Sequence, residues 1–171
     1  AQKMPTLLQT DRQNHVLMLE DLGEGQDCSS LYRKGAQISA EDLEDLSNYL
    51  TTLHQHFRSK PPADRIRNRN MRKLNHGHIF VLPYQLDNGF DLNGVLPGLE
   101  EASLPLKKDR RLAARVQQLG ELYLADGENL LHGDFFPGSW LRTDAGIKII
   151  DPEFCFFGPA EFEVGVTLAH L

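Results

Sequence analysis

The stretch from Leu130 to Pro159, LLHGDFFPGSWLRTDAGIKIIDPEFCFFGP, constrains this chain more than any other. Two short apolar runs, Asn129-Leu130-Leu131 and Ile147-Lys148-Ile149-Ile150, each deliver the chain to an aspartate. The first ends in His132-Gly133-Asp134 and the second in Asp151-Pro152-Glu153. Between them, Trp140–Thr143 and Ile147–Asp151 flank Asp144-Ala145-Gly146, the pattern of a β-hairpin with a Gly-containing turn. Such a hairpin carries one carboxylate before its first strand and two after its second, and so aims acids at one point. Paired carboxylates either accept a proton from a nucleophile or hold a divalent metal.

Spacing sharpens this. Ser139 follows Asp134 by five positions, and Asp151 comes one hairpin later. Phosphoryl transfer of the protein-kinase type uses these groups in this order. A loop Asp orients and deprotonates the acceptor hydroxyl, a polar metal ligand lies five residues on, and a second Asp after the next hairpin binds Mg²⁺. Singly, each motif is turn chemistry; order and spacing together carry the reading. His132-Gly133-Asp134, Asp151-Pro152-Glu153 and the Gly158-Pro159 beyond them resemble the aminoglycoside phosphotransferase/choline kinase superfamily of small-molecule kinases. The run from Ile150 through Pro159 is most similar to the methylthioribose kinase branch. That branch also has a Ser, here Ser139, where most of the superfamily has an Asn metal ligand.

The resemblance implies an α+β, protein-kinase-like fold with a mostly helical C-lobe carrying the catalytic β-hairpin. Residues 1–23 would be the end of an N-lobe and the hinge, and residues 24–171 the C-lobe. Backbone groups at Glu20, Asp21 and Leu22 would bond the adenine of ATP. Asp134 would be the catalytic base, with His132 orienting the loop by hydrogen bonds. Asp151 would be the main Mg²⁺ ligand. Glu153 would be a second, because residues two apart on an extended strand face the same way. Ser139, a weaker ligand than a carboxamide, would act directly or through water. The implied activity is transfer of the γ-phosphate of ATP to a hydroxyl of a small molecule, a sugar, amino alcohol or aminoglycoside. One rival is a kinase-shaped binding module without catalysis. Another is a metal-dependent hydrolase on the same acids, disfavoured because no His ligand clusters with them.

Composition bounds the alternatives. The 171 residues fit one domain with a real core. A net charge of −6 argues against a nucleic-acid binder. Cys28 and Cys155 stand alone, with no C-x-x-C, which suits a reducing compartment. No apolar run approaches the roughly 18 residues of a membrane helix and no signal-peptide pattern opens the chain, so a cytoplasmic protein is expected. The chain starts at Ala1, and a helical pattern runs to its last residue. Neither a Gly-rich phosphate loop nor a strand Lys precedes Val16. A piece of a longer enzyme, inactive alone, is expected.

Along the chain, His15–Leu19 reads as a strand. Gly23-Glu24-Gly25 lacks the third Gly and the helix of a dinucleotide fingerprint. Ser39–Arg58 reads as a helix, with Ser39 as cap and Asp42 at the capping-box position. Leu43, Leu46, Leu50, Leu53 and Phe57 form its stripe, and Pro61-Pro62 ends it. His54 and His56 lie about 200° apart on it and cannot share a metal. The basic run Arg65–Lys73 reads first as a solvated helical face, then as an anion site. Nucleic acid comes last, since no aromatic residue interleaves it. His76-Gly77-His78 lacks further zinc ligands, and one of these imidazoles is expected beneath the catalytic loop. Pro83–Pro105 reads as a long loop with at most one short element, a candidate wall for the acceptor. Leu106–Ala125 reads as a second helix with Leu112, Val116, Leu119 and Tyr123 inward. Gly120 there signals a close neighbour. Phe154, Phe156 and Phe157 read as core anchors.

Overall fold

A computed structural model describes residues 2–59, 62 and 64–171. The chain opens with an antiparallel hairpin of β1 (Leu7–Asp11) and β2 (Val16–Leu19), then the short strand β3 (Gln26–Asp27). Helices follow: α1 (Ala40–Ser59), α2 (Arg69–His76), α3 (Leu92–Val95), α4 (Leu99–Lys108) and α5 (Arg110–Tyr123). The chain then runs through β4 (Asn129–Leu131), β5 (Trp140–Thr143), β6 (Gly146–Ile149) and β7 (Phe156–Gly158) into α6 (Ala160–His170). The architecture mixes helices with small antiparallel sheets, β1-β2, β3-β5-β6 and β4-β7. No helix among the described residues is long and apolar enough to cross a membrane.

The expected ribbon forms as β5-β6, pairing Trp140 with Ile149 and Thr143 with Gly146. Gly146 takes φ +89°, which closes the Asp144-Ala145 turn. Its alternation is physical: Ile147 and Ile149 are buried, while Lys148 between them is not. They join Trp140, Phe135, Cys28, Leu46 and Leu50 in the main core. A second core gathers Tyr123, Leu131 and Phe156, with Phe80 and Phe162 against them. Both cysteines are free thiols.

Helix α1 lies across β4 and β6. Ser39 Oγ accepts the Asp42 N–H at 3.0 Å, the expected cap. The return half of the capping box is absent, because the Asp42 carboxylate instead takes Arg142 Nη2 at 2.6 Å. Leu46 and Leu50 face inward and Leu43 lies at the margin. Of the two prolines expected to end this helix, Pro61 lies outside the described residues.

Three expectations change. The Pro83–Pro105 stretch is not a loop with one short element, since it holds α3 and most of α4. Glu100 and Glu101 in the first turn of α4, and Lys107 and Lys108 in its last, match the helix dipole and offset the lost hydrogen bond at Pro105. The single helix expected over Leu106–Ala125 is split at Asp109, whose Oδ1 accepts the N–H groups of Arg111 and Leu112 and so caps α5. Leu119 is exposed, and the inward stripe runs through Val116, Gly120 and Tyr123. The basic run is not simply a solvated face. Arg72 is 4% exposed, donates to the carbonyls of Tyr123 and Ala125, and lies 4.3 Å over the Phe156 ring. It ties α2 to the carbonyl end of α5.

Candidate active site

Strand β4 leads into His132-Gly133-Asp134, and β7, its antiparallel partner, follows the Asp151 segment. The two acid-bearing loops therefore start and finish on one ladder. Gly133 has φ +88°, and a Cβ there would stand 2.2 Å from the Phe154 carbonyl oxygen, so only glycine fits. Side chains hold both of its backbone groups. Glu163 Oε1 accepts the Gly133 N–H at 2.8 Å, and Asn75 Nδ2 donates to the Gly133 carbonyl at 2.9 Å.

His132 is buried between the loops. Its Nε2 faces the Ile150 carbonyl at 2.9 Å; a carbonyl only accepts, so Nε2 carries the proton. Nδ1 is left to accept the Asp134 N–H at 3.4 Å. Ser139 is also buried, and its hydroxyl donates to the Asp134 carbonyl at 2.8 Å. The Ile150 N–H returns to the Ser139 carbonyl at 3.1 Å. Asn68 Nδ2 donates to the carbonyls of Glu153 and Cys155. The His132–Ile150 and Ile150–Ser139 bonds stitch one acid loop to the other, and Asn68 anchors the second loop to the start of α2.

The segment carrying Asp151 and Glu153 is not the extended strand from which a shared direction was expected. Asp151 sits at φ +60°, ψ +58°, and Pro152–Phe154 is a 3₁₀ turn. A left-handed Asp is uncommon and is tolerated where its neighbours are pinned, as both backbone groups of Ile150 are. Asp151 and Glu153 are solvent-exposed, and neither side chain takes a hydrogen bond or ion pair among the described residues.

Asp134 is half-buried, and its carboxylate likewise lacks a partner among the described residues. Burial pushes its pKa above the usual carboxylate range, His132 pulls it back, and Glu153 and Asp151 push it up again. Asp134 thus feels the charge of both other acids. Hard carboxylate oxygens, uncompensated and exposed on one side, fit Mg²⁺, which binds through one or two carboxylates plus water and phosphate oxygens. No three His, Cys, Asp or Glu side chains among the described residues converge as a finished cage. Asp151 and Glu153 are the exposed residues with carboxylates free to hold an ion; the buried Ser139 hydroxyl donates to the Asp134 carbonyl and keeps its oxygen lone pairs.

A cavity of about 270 Å³ opens beside Asp134, walled by Phe136, Phe162 and Val166, with Glu163 and His170 also on its lining. A larger groove, about 670 Å³, runs between residues 2–4 and α1 and touches neither acid loop. Of these two, only the smaller is lined by an acid loop.

The expected hinge residues do not line that cavity. Glu20 accepts the N–H and hydroxyl of Thr6, and chiefly that hydroxyl bond lowers its pKa. Asp21 Oδ1 accepts the Gly23 N–H at 2.8 Å. The main-chain groups of Asp21 and Leu22 take no hydrogen bond among the described residues.

Sequence reasoning missed the supports. Glu163 is 1% exposed and bridges Gly133 to His54, whose Nε2 lies 2.8 Å from Oε2. An acid between Phe162 and Val164, in a helix of mainly apolar residues, was the one available signal. Asn75 and Asn68 sat unmarked in the basic run. His76, expected beneath the loop, packs instead against Phe80 and Tyr123 under Gly120, whose Cβ would come 2.7 Å from His76 Nε2. His78 is exposed.

The sequence profile described as the phosphotransferase enzyme family matches residues 6–171. Over 170 residues, 99% of this chain, 29% of positions are identical to a methylthioribose kinase of Yersinia pseudotuberculosis serotype O:1b (strain IP 31758), covering 40% of that protein. The methylthioribose kinase of Yersinia enterocolitica serotype O:8 / biotype 1B (strain NCTC 13174 / 8081) is 30% identical over 170 residues, 99% of this chain and 41% of its own. That of Exiguobacterium sibiricum is 40% identical over 81 residues, 47% of this chain and 21% of its own. The chain spans about 40% of the length of the Yersinia relatives.

Proposed function

The chain belongs to the phosphotransferase enzyme family, and from that membership we propose that it carries the acceptor- and metal-binding half of an ATP- and Mg²⁺-dependent small-molecule kinase. Residues 2–23 supply the last N-lobe strands and the hinge, with Asp21 and Leu22 offering uncommitted backbone groups to adenine. Residues 24–171 form the C-lobe. The acceptor is a sugar of the methylthioribose type, as the names of the relatives suggest.

The observation that carries this reading is Asp134, a residue lining the cavity whose unpartnered carboxylate senses Asp151 and Glu153. Asp134 orients the acceptor hydroxyl for in-line attack and receives its proton; its raised pKa moves it toward the range of a useful base. Asp151 and Glu153 hold Mg²⁺, which when bound neutralises charge on the phosphoryl oxygens. Ser139 keeps the Asp134 backbone in place through its 2.8 Å bond. His132, proton on Nε2, locks the loop to Ile150 and takes no part in proton transfer.

ADP release by the intact protein, with methylthioribose and Mg·ATP, tests this. Asp134→Asn is expected to cut turnover by roughly 10²–10⁴-fold while leaving Mg·ATP binding by calorimetry nearly unchanged. Wild-type rates in that variant would remove Asp134 from the chemistry. Ser139, standing where most of the resembled superfamily has an Asn metal ligand, favours one second reading, a binding module without catalysis. Metal-independent ATP binding with no ADP release would establish it instead.

A further inference from the structure

Two residues lining the cavity beside the acids carry a polar group with no partner among the described residues: Asp134, its carboxylate, and His170, one ring nitrogen. The other nitrogen, Nδ1, lies 2.8 Å from the Tyr32 hydroxyl, and the two rings meet edge-on at 5.7 Å. A phenol is the stronger donor of the two and an imidazole nitrogen the stronger acceptor, so Tyr32 O–H donates to Nδ1. The ring proton then sits on Nε2. Burial lowers the His170 pKa, against a smaller pull upward from Asp134, and so favours the neutral ring. The Phe136 ring lies 6.2 Å from the imidazole and limits its swing.

The cavity therefore offers one acceptor, Asp134, and one fixed donor, His170 Nε2–H, between apolar walls. A hydroxyl that reacts must donate to Asp134, and an oxygen beside it can accept from His170. A neighbouring ammonium cannot, because it would meet an N–H donor. The buried Glu163 carboxylate is already taken by His54 and Gly133. We propose that His170, its ring set by Tyr32, binds the oxygen adjacent to the reacting hydroxyl and so selects neutral, sugar-like acceptors over amino alcohols and aminoglycosides. This inference rests on the phosphotransferase reading.

The test is steady-state ADP release by the intact protein with saturating Mg·ATP and methylthioribose, choline or kanamycin as the varied acceptor. Turnover is expected with methylthioribose and not with the two cations. His170→Ala is expected to raise the KM for methylthioribose about 5–10-fold, the loss of one hydrogen bond, with kcat and the KM for Mg·ATP within about twofold. His170→Gln, which keeps an N–H donor, recovers part of the loss. Tyr32→Phe, which keeps the ring on an exposed residue, raises the same KM about 2–3-fold by freeing the imidazole. Should His170→Ala fail to fold, the Gln and Phe variants carry the comparison. An unchanged acceptor KM in the His170 variants, or a preference of the unaltered protein for choline or kanamycin, overturns the role of His170 and leaves the kinase reading standing. No ADP release from any acceptor by the unaltered protein overturns that reading and this inference with it.

Discussion

The surroundings of Asp134 favour its neutral form over its charged one, burial first among the causes. A carboxyl whose folded pKa is raised adds stability below its unfolded pKa of about 4, and this contribution is lost as pH rises through the folded value. Above that value the charged group works against the fold. Asp134→Asn should therefore melt higher than the parent at pH 7, with the advantage disappearing below about pH 4, as followed by thermal unfolding across that range. A lower midpoint at pH 7 would contradict the electrostatic account. Glu163 is the opposite case, a buried acid whose oxygens are both used. Glu163→Ala strands His54 and the Gly133 N–H, and urea unfolding should show a loss of about 3–5 kcal/mol. Asp134 was legible because its neighbours in sequence repeat a spacing tied to chemistry. Glu163 was not, because its partners lie 30 and 109 positions away.

Packing decides what helices α2 and α5 tolerate. Gly120→Ala would gain about 1 kcal/mol of helix propensity, but the added Cβ would stand 2.7 Å from His76 Nε2 and 3.1 Å from Phe80 Cβ. Overpacking costs about 1–3 kcal/mol, so the clash wins and a net loss is expected on urea unfolding. A more stable variant would mean that the His76 ring swings freely. The Gly120 signal was legible because glycine inside a helical pattern needs a neighbour to explain it. Helix α4 was hidden by composition: Gly94, Pro97, Gly98 and Pro105 punctuate the segment as a loop would, yet its end charges stabilise the helix. The turn at Asp151 was hidden differently. An apolar strand followed by an acid reads as continuing, and nothing in Asp151-Pro152-Glu153 marks a left-handed residue.

Across the whole molecule, two cores meet at the acid loops while the β1-β2 hairpin stands clear of both. Leu8 and Leu17 are 60% and 65% exposed, and Leu7, Val16, Met18 and Leu19 are exposed too. Contiguous apolar surface of this kind promotes association. Replacing Leu8 and Leu17 together with Thr should reduce hydrophobic-dye binding by this chain and leave its melting midpoint nearly unchanged, since exposed side chains contribute about 0.5 kcal/mol or less. A large drop in midpoint would show that the hairpin leans on the core. The family was legible because a few residues around one ribbon carry it, whereas the helical surround is set by contacts far apart in sequence. Trp140, the chain's one tryptophan, is fully buried in that ribbon, its indole N–H without a partner among the described residues and Phe135 5.2 Å away. Its placement supplies a native fluorophore. So dry a ring emits toward the blue, and a red shift on warming, or on adding nucleotide, would report wetting of the strand that joins the two acids, with no label attached.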